Sequence, residues 1–246
     1  MKGVRAVLFD LHGTLLLSDD VDAAWDRWAA AFHVELAHRG ALMPLGEFKA
    51  ALGSLFKGPE PPAYQPGHTL FERRVKGLCT RLGVQVPQGE LRPLVEAIVD
   101  VWHSGMYLDP DAVPLLEALK KRFKVGLITN WEHGPTIPRL VDRLGVRRLL
   151  DDVVVSDDLG VAKPDPRIFE AALGRLGVKA SDAVYVGDMD LDARGALDAG
   201  MRPILVRRGG DGDWGTYSEA TECGYDPERV TIIERLADLL PLLSDR

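Results

Sequence analysis

The chain contains little cysteine and has no long hydrophobic run. Its 246 residues include two cysteines, Cys79 and Cys223, which show no paired metal-ligand spacing, so we interpret them as free thiols in a reducing compartment. The apolar run after Lys2 and Arg5 is interrupted at Asp10, which makes it too short for a signal peptide, and no window approaches transmembrane length. These absences predict a cytoplasmic protein.

The chain also lacks an excess of positive charge. Its 30 lysines and arginines against 37 acidic residues give a net charge of −7. We therefore expect neither nucleic acid nor an anionic membrane as a partner, although an acidic protein can still hold a local cationic pocket for phosphate. A hydrophobic content of 46% with 27% charged residues is ordinary for a soluble globular protein.

Apolar segments with the length of buried strands alternate with helical stretches. The strand signals fall at about 4–9, 124–129, 152–155, 183–187 and 203–206. Alternating strands and helices predict an α/β fold, a Rossmann-like parallel sheet with helices on both faces. Helices are expected at 111–122, at 165–176 (with an Asp-Pro start) and near 231–242, the last packed against the sheet.

Residues 18–105 interrupt this alternation. Their apolar side chains recur at helical spacing, which predicts three or four helices and no strand. The chain is therefore expected to form an α/β core domain from residues 1–17 and 106–246, with residues 18–105 as an inserted helical domain. Trp25 and Trp28 either pack inside this insertion or line a substrate pocket.

Polar side chains stand at the ends of the predicted strands, where open α/β sheets bind ligands. Asp10 ends the run Val7-Leu8-Phe9, Thr129-Asn130 ends a second strand, Lys163 precedes a helix start, and Asp188 ends a third strand with Asp190 and Asp192 close behind. Because carboxylates repel each other, two of them could lie together here only if a cation lay between them.

In this order, the four segments resemble the haloacid dehalogenase-like (HAD) hydrolase superfamily, in the subgroup with a helical cap inserted after the first strand. Most of its members are Mg-dependent phosphatases. The resemblance covers residues 4–17 and about 108–206. It implies a cap that closes over the active site, Mg²⁺ as the cofactor and a small phosphorylated metabolite as the substrate.

The resemblance also assigns roles. It implies that Asp10 is the nucleophile that forms an aspartyl-phosphate, and that Lys163 and Thr129, with Asn130 beside it, bind the phosphoryl group. The implied Mg²⁺ ligands are Asp10, the backbone carbonyl of His12, Asp188 and Asp192, the last of which either supports the metal or orients the lysine. Asp190 either joins this set or only caps the next helix.

His12 departs from the family pattern, because the family's phosphatases usually carry an aspartate two residues after the nucleophile. An imidazole can also protonate a leaving oxygen and activate water. Nearby Mg²⁺ and Lys163 would lower its pKa and weaken it as an acid at neutral pH. His12 therefore either acts as the general acid and base or marks reduced ester hydrolysis.

Three alternatives remain open at this point. A haloacid dehalogenase uses the same aspartate without metal, which the cluster Asp188–Asp192 argues against. A phosphonate hydrolase uses a cap lysine as a Schiff base, for which Lys49, Lys57 and Lys76 are the available residues. The third alternative is a catalytically weakened binding protein.

Overall fold

The computed structural model describes residues 1–53, 55–56, 67–87, 89–208 and 224–244. It divides into two compact units, one formed by Met1–Ser18 with Tyr107–Arg246 and the other by Asp19–Met106. Cys223 and Lys57 lie outside the described residues, whereas Cys79 is a buried free thiol. Among the helices of the described ranges, none combines the length and the apolar character needed to cross a bilayer.

The strands of the first unit are β1 (Ala6–Phe9), β2 (Leu16–Leu17), β3 (Tyr107–Leu108), β4 (Lys124–Thr129), β5 (Asp152–Val155), β6 (Ala183–Gly187), β7 (Arg202–Val206) and β8 (Thr231–Ile233). Six of them form a parallel sheet in the order β5-β4-β1-β6-β7-β8. β2 and β3, where the chain leaves this unit and returns to it, form a separate antiparallel pair. The predicted α/β, Rossmann-like architecture is confirmed.

Helices of both units complete the described structure. The second unit contains α1 (Val21–Ala37), α2 (Leu45–Leu52), α3 (Leu70–Arg81) and α4 (Leu91–His103). The first unit contains α5 (Ala112–Lys120), α6 (Thr136–Arg143), α7 (Ser156–Leu159), α8 (Pro166–Leu176), α9 (Asp190–Asp198) and α10 (Leu239–Ser244).

Strand β1 is the centre of the sheet, and all four of its side chains are buried. Helices cover both faces of such a sheet, so its central strands are apolar throughout rather than alternating. On one face, Leu8 belongs to a cluster that includes Ile168 and Phe169 of α8. That helix begins where its sequence predicts, because Asp165 accepts a hydrogen bond from the backbone N–H of Arg167.

The strand order reverses next to β1. From β1 the chain proceeds to β4 and β5 on one side, and then crosses to β6, β7 and β8 on the other. In open α/β sheets, the crevice at such a switch point lies outside the carboxyl ends of the strands and is the usual ligand site. Asp10 directly follows β1, so the fold places it at this crevice.

The prediction of a helix near 231–242 is wrong in its first part. Thr231–Ile233 form β8, which pairs in parallel with β7, and the helix α10 begins only at Leu239. The β-branched residues at 230–233 favour a half-buried edge strand of the sheet over a helix.

The second unit has an aromatic core around Trp28. This side chain is 3% exposed and lies 5.6 Å from Phe32, 6.4 Å from Phe71 and 6.2 Å from Trp102, measured between ring centroids. Trp25 is only partly buried and lies 5.0 Å from Trp28. Of the two roles open to these tryptophans, Trp28 takes the packing role.

Candidate active site

The carboxyl ends of β1 and β6 bring two acidic side chains together. Asp10 follows β1, Asp188 follows β6, and the backbone N–H of Asp10 donates to the Val186 carbonyl at 2.9 Å. Asp192 joins them from the first turn of α9, and one carboxylate oxygen from each of the three aspartates lies within 4.8 Å of the others. Asp10 and Asp192 are buried, and Asp188 is partly buried.

Lys163 lies between two members of this acidic cluster, Asp10 and Asp192. Its Nζ donates to Asp10 Oδ1 at 2.6 Å and to Asp192 Oδ1 at 2.7 Å. A third hydrogen bond, of 3.1 Å, goes to the Tyr185 hydroxyl, which in turn donates to the Ile128 carbonyl at 3.1 Å. The ammonium group therefore uses its three donors on three fixed acceptors.

Asp192 holds this lysine rather than facing outward. Its Oδ2 accepts the backbone N–H groups of Asp188 (3.2 Å) and Met189 (3.0 Å), while Oδ1 accepts Lys163. A carboxylate in the first turn of a helix is also favoured by the helix dipole. Gly187 is needed for this packing, because a Cβ built there would lie 2.4 Å from Asp192 Cγ.

The turn after Asp10 holds the Asp188 side chain. Thr14 is fully buried, and its hydroxyl donates to Asp188 Oδ1 at 2.8 Å. Gly13 has a φ of +83°, and a Cβ built there would lie 2.2 Å from Asp188 Oδ2. Only glycine therefore fits both the backbone conformation and the space at this position.

The cluster carries more negative than positive charge. When all three carboxylates are ionised, the one ammonium leaves two negative charges uncompensated. Burial, and then the charge of Asp192, raise the pKa of Asp10 to about 6 although Lys163 lowers it. Burial and the charges of Asp10 and Asp192 likewise raise the pKa of Asp188 well above its ordinary value. The donor set consists of hard oxygens, which is the chemistry that Mg²⁺ prefers.

The same charges keep Lys163 protonated. Burial alone would lower the pKa of this ammonium, but the carboxylates of Asp10 and Asp192 outweigh burial and raise it above its ordinary value. Lys163 is therefore a permanent positive charge between Asp10 and Asp192.

His12 stacks on an aromatic ring. Its imidazole lies 4.7 Å from the Trp131 ring, with an angle of 17° between the planes. Desolvation, followed by the charge of Lys163, lowers the pKa of His12 to about 3. The ring is therefore neutral at pH 7 in the protein alone.

Thr129 and Asn130 lie at the carboxyl end of β4, beside β1. The Asn130 side chain accepts the backbone N–H of Lys163 at 2.8 Å and donates to its carbonyl at 3.0 Å, so it fixes the Lys163 backbone. Thr129 is 1% exposed, and within the described ranges no hydrogen bond joins its hydroxyl to the four charged side chains of the cluster. Asp190 stands apart from the cluster and pairs with Arg207 at 2.5 Å.

Sequence reasoning missed several residues that support the site, among them Thr14, Tyr185, Arg207 and Arg208. Tyr185 carried a signal, since a hydroxyl in an otherwise apolar buried strand needs a partner. The two arginines carried none, because no local pattern predicts their contacts: Arg207 bonds Asp190, 17 residues away in the chain, and Arg208 bonds the Gly13 carbonyl, 195 residues away.

Comparisons with known proteins give a consistent result. The family model for haloacid dehalogenase-like hydrolases matches residues 4–200. The chain is 43% identical over 214 residues to the glyceraldehyde 3-phosphate phosphatase of Methanopyrus kandleri, which covers 84% of this chain and 85% of that protein. It is 30% identical over 244 residues to the phosphoglycolate phosphatase of Yersinia pseudotuberculosis, and the match covers 99% of this chain and 94% of that protein. A solved structure, the 2-haloacid dehalogenase of Pseudomonas syringae pv. Tomato, superposes with a TM-score of 0.65 at 28% identity over 98% of both chains.

Proposed function

The chain belongs to the haloacid dehalogenase-like hydrolase family, and we propose that it is a Mg²⁺-dependent phosphatase that hydrolyses a small phosphorylated metabolite through an aspartyl-phosphate on Asp10. The observation that carries this proposal is the oxygen cluster at the carboxyl ends of β1 and β6, which has two uncompensated negative charges when its three carboxylates are ionised. A divalent cation would neutralise them, and a phosphate group could then approach.

The residues of the site fit such a cation. Asp10 and Asp188 would hold Mg²⁺ with the backbone carbonyl of His12, and Asp192 would act through Lys163, because both of its oxygens already accept hydrogen bonds. When bound, the metal would neutralise charge on the nucleophile and on the phosphoryl oxygens.

Each step can then be assigned to the chain's own side chains. A carboxylate oxygen of Asp10 attacks phosphorus, the new bond is an acyl phosphate, and the bond from phosphorus to the ester oxygen breaks. Lys163 and the Thr129 hydroxyl stabilise the phosphoryl oxygens during this transfer. Water then hydrolyses the acyl phosphate, which releases inorganic phosphate and restores the Asp10 carboxylate.

The leaving oxygen needs a proton, and His12 is the residue we propose to supply it. Its neutral ring in the free protein means that the dianionic substrate has to raise its pKa first. Substrates whose leaving group needs little protonation would depend less on this side chain.

Two relatives support a short phosphorylated substrate. Their names designate phosphatases for glyceraldehyde 3-phosphate and for phosphoglycolate, and both are phosphate esters of short carbon chains. We propose the same class for this chain, with the helical unit Asp19–Met106 as the cap that selects among its members.

The alternative chemistries have less support. Dehalogenation needs no metal, so the Asp188 carboxylate beside Asp10 would be unexplained in such an enzyme. Phosphonate cleavage needs an activated cap lysine, but Lys49 forms a surface ion pair with Asp26 at 2.6 Å and Lys76 is exposed. A pure binding protein would not need Lys163 fixed by three acceptors beside a nucleophile.

A substrate screen tests the proposal. Short phosphorylated metabolites and a 2-haloacid are offered to wild-type protein with Mg²⁺ or with a chelator, and phosphate and chloride release are both measured. We expect Mg²⁺-dependent phosphate release that Asp10→Asn abolishes and that Asp142→Asn, an exposed aspartate on α6, leaves intact. Turnover that survives chelation, or chloride release at a comparable rate, contradicts the proposal.

A further inference from the structure

Arg208, just beyond the carboxyl end of β7, reaches back to the turn that follows Asp10. Its Nη1 donates to the Gly13 carbonyl at 2.7 Å, and its Nη2 donates to the Thr14 carbonyl at 2.9 Å. The same Nη2 also donates to Asp109 Oδ2 at 2.7 Å. One planar guanidinium thus binds three acceptors from two chain segments, with a fixed fork geometry that a lysine ammonium lacks.

Asp109 makes this anchor rigid. It follows β3, its side chain is buried, and its backbone N–H donates to the Leu15 carbonyl at 2.9 Å. The other carboxylate oxygen accepts the backbone N–H of Asp111 at 2.8 Å. Arg208 therefore connects a fixed carboxylate to the turn at residues 13–14.

That turn determines the position of Asp188. The Thr14 hydroxyl donates to Asp188 Oδ1, and Gly13 lies so close to Asp188 Oδ2 that a methyl group would not fit between them. A shift of the turn would therefore displace the carboxylate. Arg207, the preceding residue, donates to the main-chain carbonyl of Asp188 and so holds the same loop from its other side.

We propose that Arg208 is a positioning residue for the divalent-cation site, acting through Thr14 on the carboxylate of Asp188. This inference rests on the proposed function, since it presumes that Asp188 binds Mg²⁺. Arg208 makes no contact with the cation or the substrate in this role. It fixes a ligand's geometry, and outer-shell partners of this kind typically change metal affinity by about 10–100-fold.

Mg²⁺ binding by isothermal titration calorimetry, without substrate, tests the inference. Arg208→Gln should bind Mg²⁺ about 10-fold more weakly than wild type, at the lower end of the usual outer-shell effect. Arg202→Gln is the matched control, because Arg202 lies at the amino end of the same strand and donates to the Lys2 carbonyl. It should leave Mg²⁺ affinity unchanged.

A double-mutant cycle separates positioning from general stabilisation. Thr14→Val should also weaken Mg²⁺ binding, and adding Arg208→Gln to it should cost little more, because both act on one path. If Arg208→Gln fails to fold, Arg208→Lys and Asp109→Asn are used instead, because each removes only part of the same hydrogen bonds. Both should show smaller losses of Mg²⁺ affinity.

The inference is overturned if the folded Arg208 and Asp109 variants bind Mg²⁺ as tightly as wild type does. It is also overturned if the losses of Mg²⁺ affinity in Arg208→Gln and Thr14→Val simply add in the double variant. If wild-type protein hydrolyses phosphate esters but binds no Mg²⁺, the metal-dependent function fails together with the inference. If wild type binds Mg²⁺ and only the Arg208 result fails, the proposed function stands.

Discussion

Without metal, the acidic cluster should make the protein more stable as the pH falls. The pKa of Asp10 is raised to about 6 in the folded protein from an ordinary 3.8, so the folded state binds this proton more tightly than the unfolded state does. A group of this kind destabilises the fold at pH 7.5, and the penalty disappears as the pH falls through about 6 toward 4. The shift corresponds to roughly 3 kcal/mol, or about 6–12 °C in Tm for a chain of this size.

Asp188→Asn removes one of the repelling charges and tests the same reasoning at the second raised carboxylate of the cluster. In a chelator at pH 7.5 the variant should melt at a higher temperature than wild type, because the pKa of Asp188 is also raised by burial and by its acidic neighbours. The difference in Tm between the two proteins should shrink toward pH 5. Groups that titrate alike in both proteins do not contribute to this difference. Added Mg²⁺ should raise the Tm of wild type at pH 7.5 and not that of the variant.

Thermal unfolding is followed by circular dichroism from pH 5 to 8, with a chelator or with Mg²⁺. Asp142→Asn serves as the matched control, since this exposed carboxylate lies outside the cluster and should leave both curves unchanged. The reasoning is refuted if Asp188→Asn lowers the Tm in chelator at pH 7.5. It is equally refuted if Mg²⁺ stabilises the variant as much as wild type.

Three further substitutions test individual contacts of the site. His12→Asp should raise the ratio of alkyl to aryl phosphate turnover near neutral pH by about 10²-fold, because it restores the aspartate that the family's phosphatases usually carry at this position for poor leaving groups. An unchanged ratio in steady-state assays would make His12 a bystander. Gly13→Ala should lower the free energy of unfolding, measured in urea, by about 2 kcal/mol, because the new Cβ would collide with Asp188. An unchanged free energy of unfolding would contradict the close approach of Gly13 to Asp188. Tyr185→Phe should lower the free energy of unfolding by about 1–2 kcal/mol in the same assay, since Lys163 and a main-chain carbonyl each lose a buried hydrogen-bond partner. An unchanged free energy of unfolding would show that water replaces the hydroxyl.

Much of the fold was predictable because its central strands are short, fully apolar segments. The residues of β1 and β6 are buried throughout, and such segments stand out against amphipathic helices. β8 was mistaken for a helix because three β-branched residues precede a leucine-rich helical stretch, and only pairing with β7 decides their conformation. The two-residue strands β2 and β3 have too few residues for any periodic signal.

The charged members of the site were predictable for a different reason. Parallel strands align their carboxyl ends, so Asp10 and Asp188 were expected at one edge of the sheet, and the pairing of β1 with β6 brings them together. The supporting contacts depend on tertiary structure instead. Arg208 and the Gly13 carbonyl are 195 residues apart in the chain, and no local pattern predicts that they meet.

Chemical trapping of the covalent intermediate tests the central claim most directly. Wild-type protein turning over an aryl phosphate with Mg²⁺ is quenched and reduced with borohydride, which converts an aspartyl-phosphate to homoserine, and the peptides are analysed by mass spectrometry. We predict homoserine at residue 10 in wild type, and none without Mg²⁺ or in Asp10→Asn. Steady phosphate release with no modification at Asp10, or with the modification at another carboxylate, would contradict the assignment of Asp10 as the nucleophile.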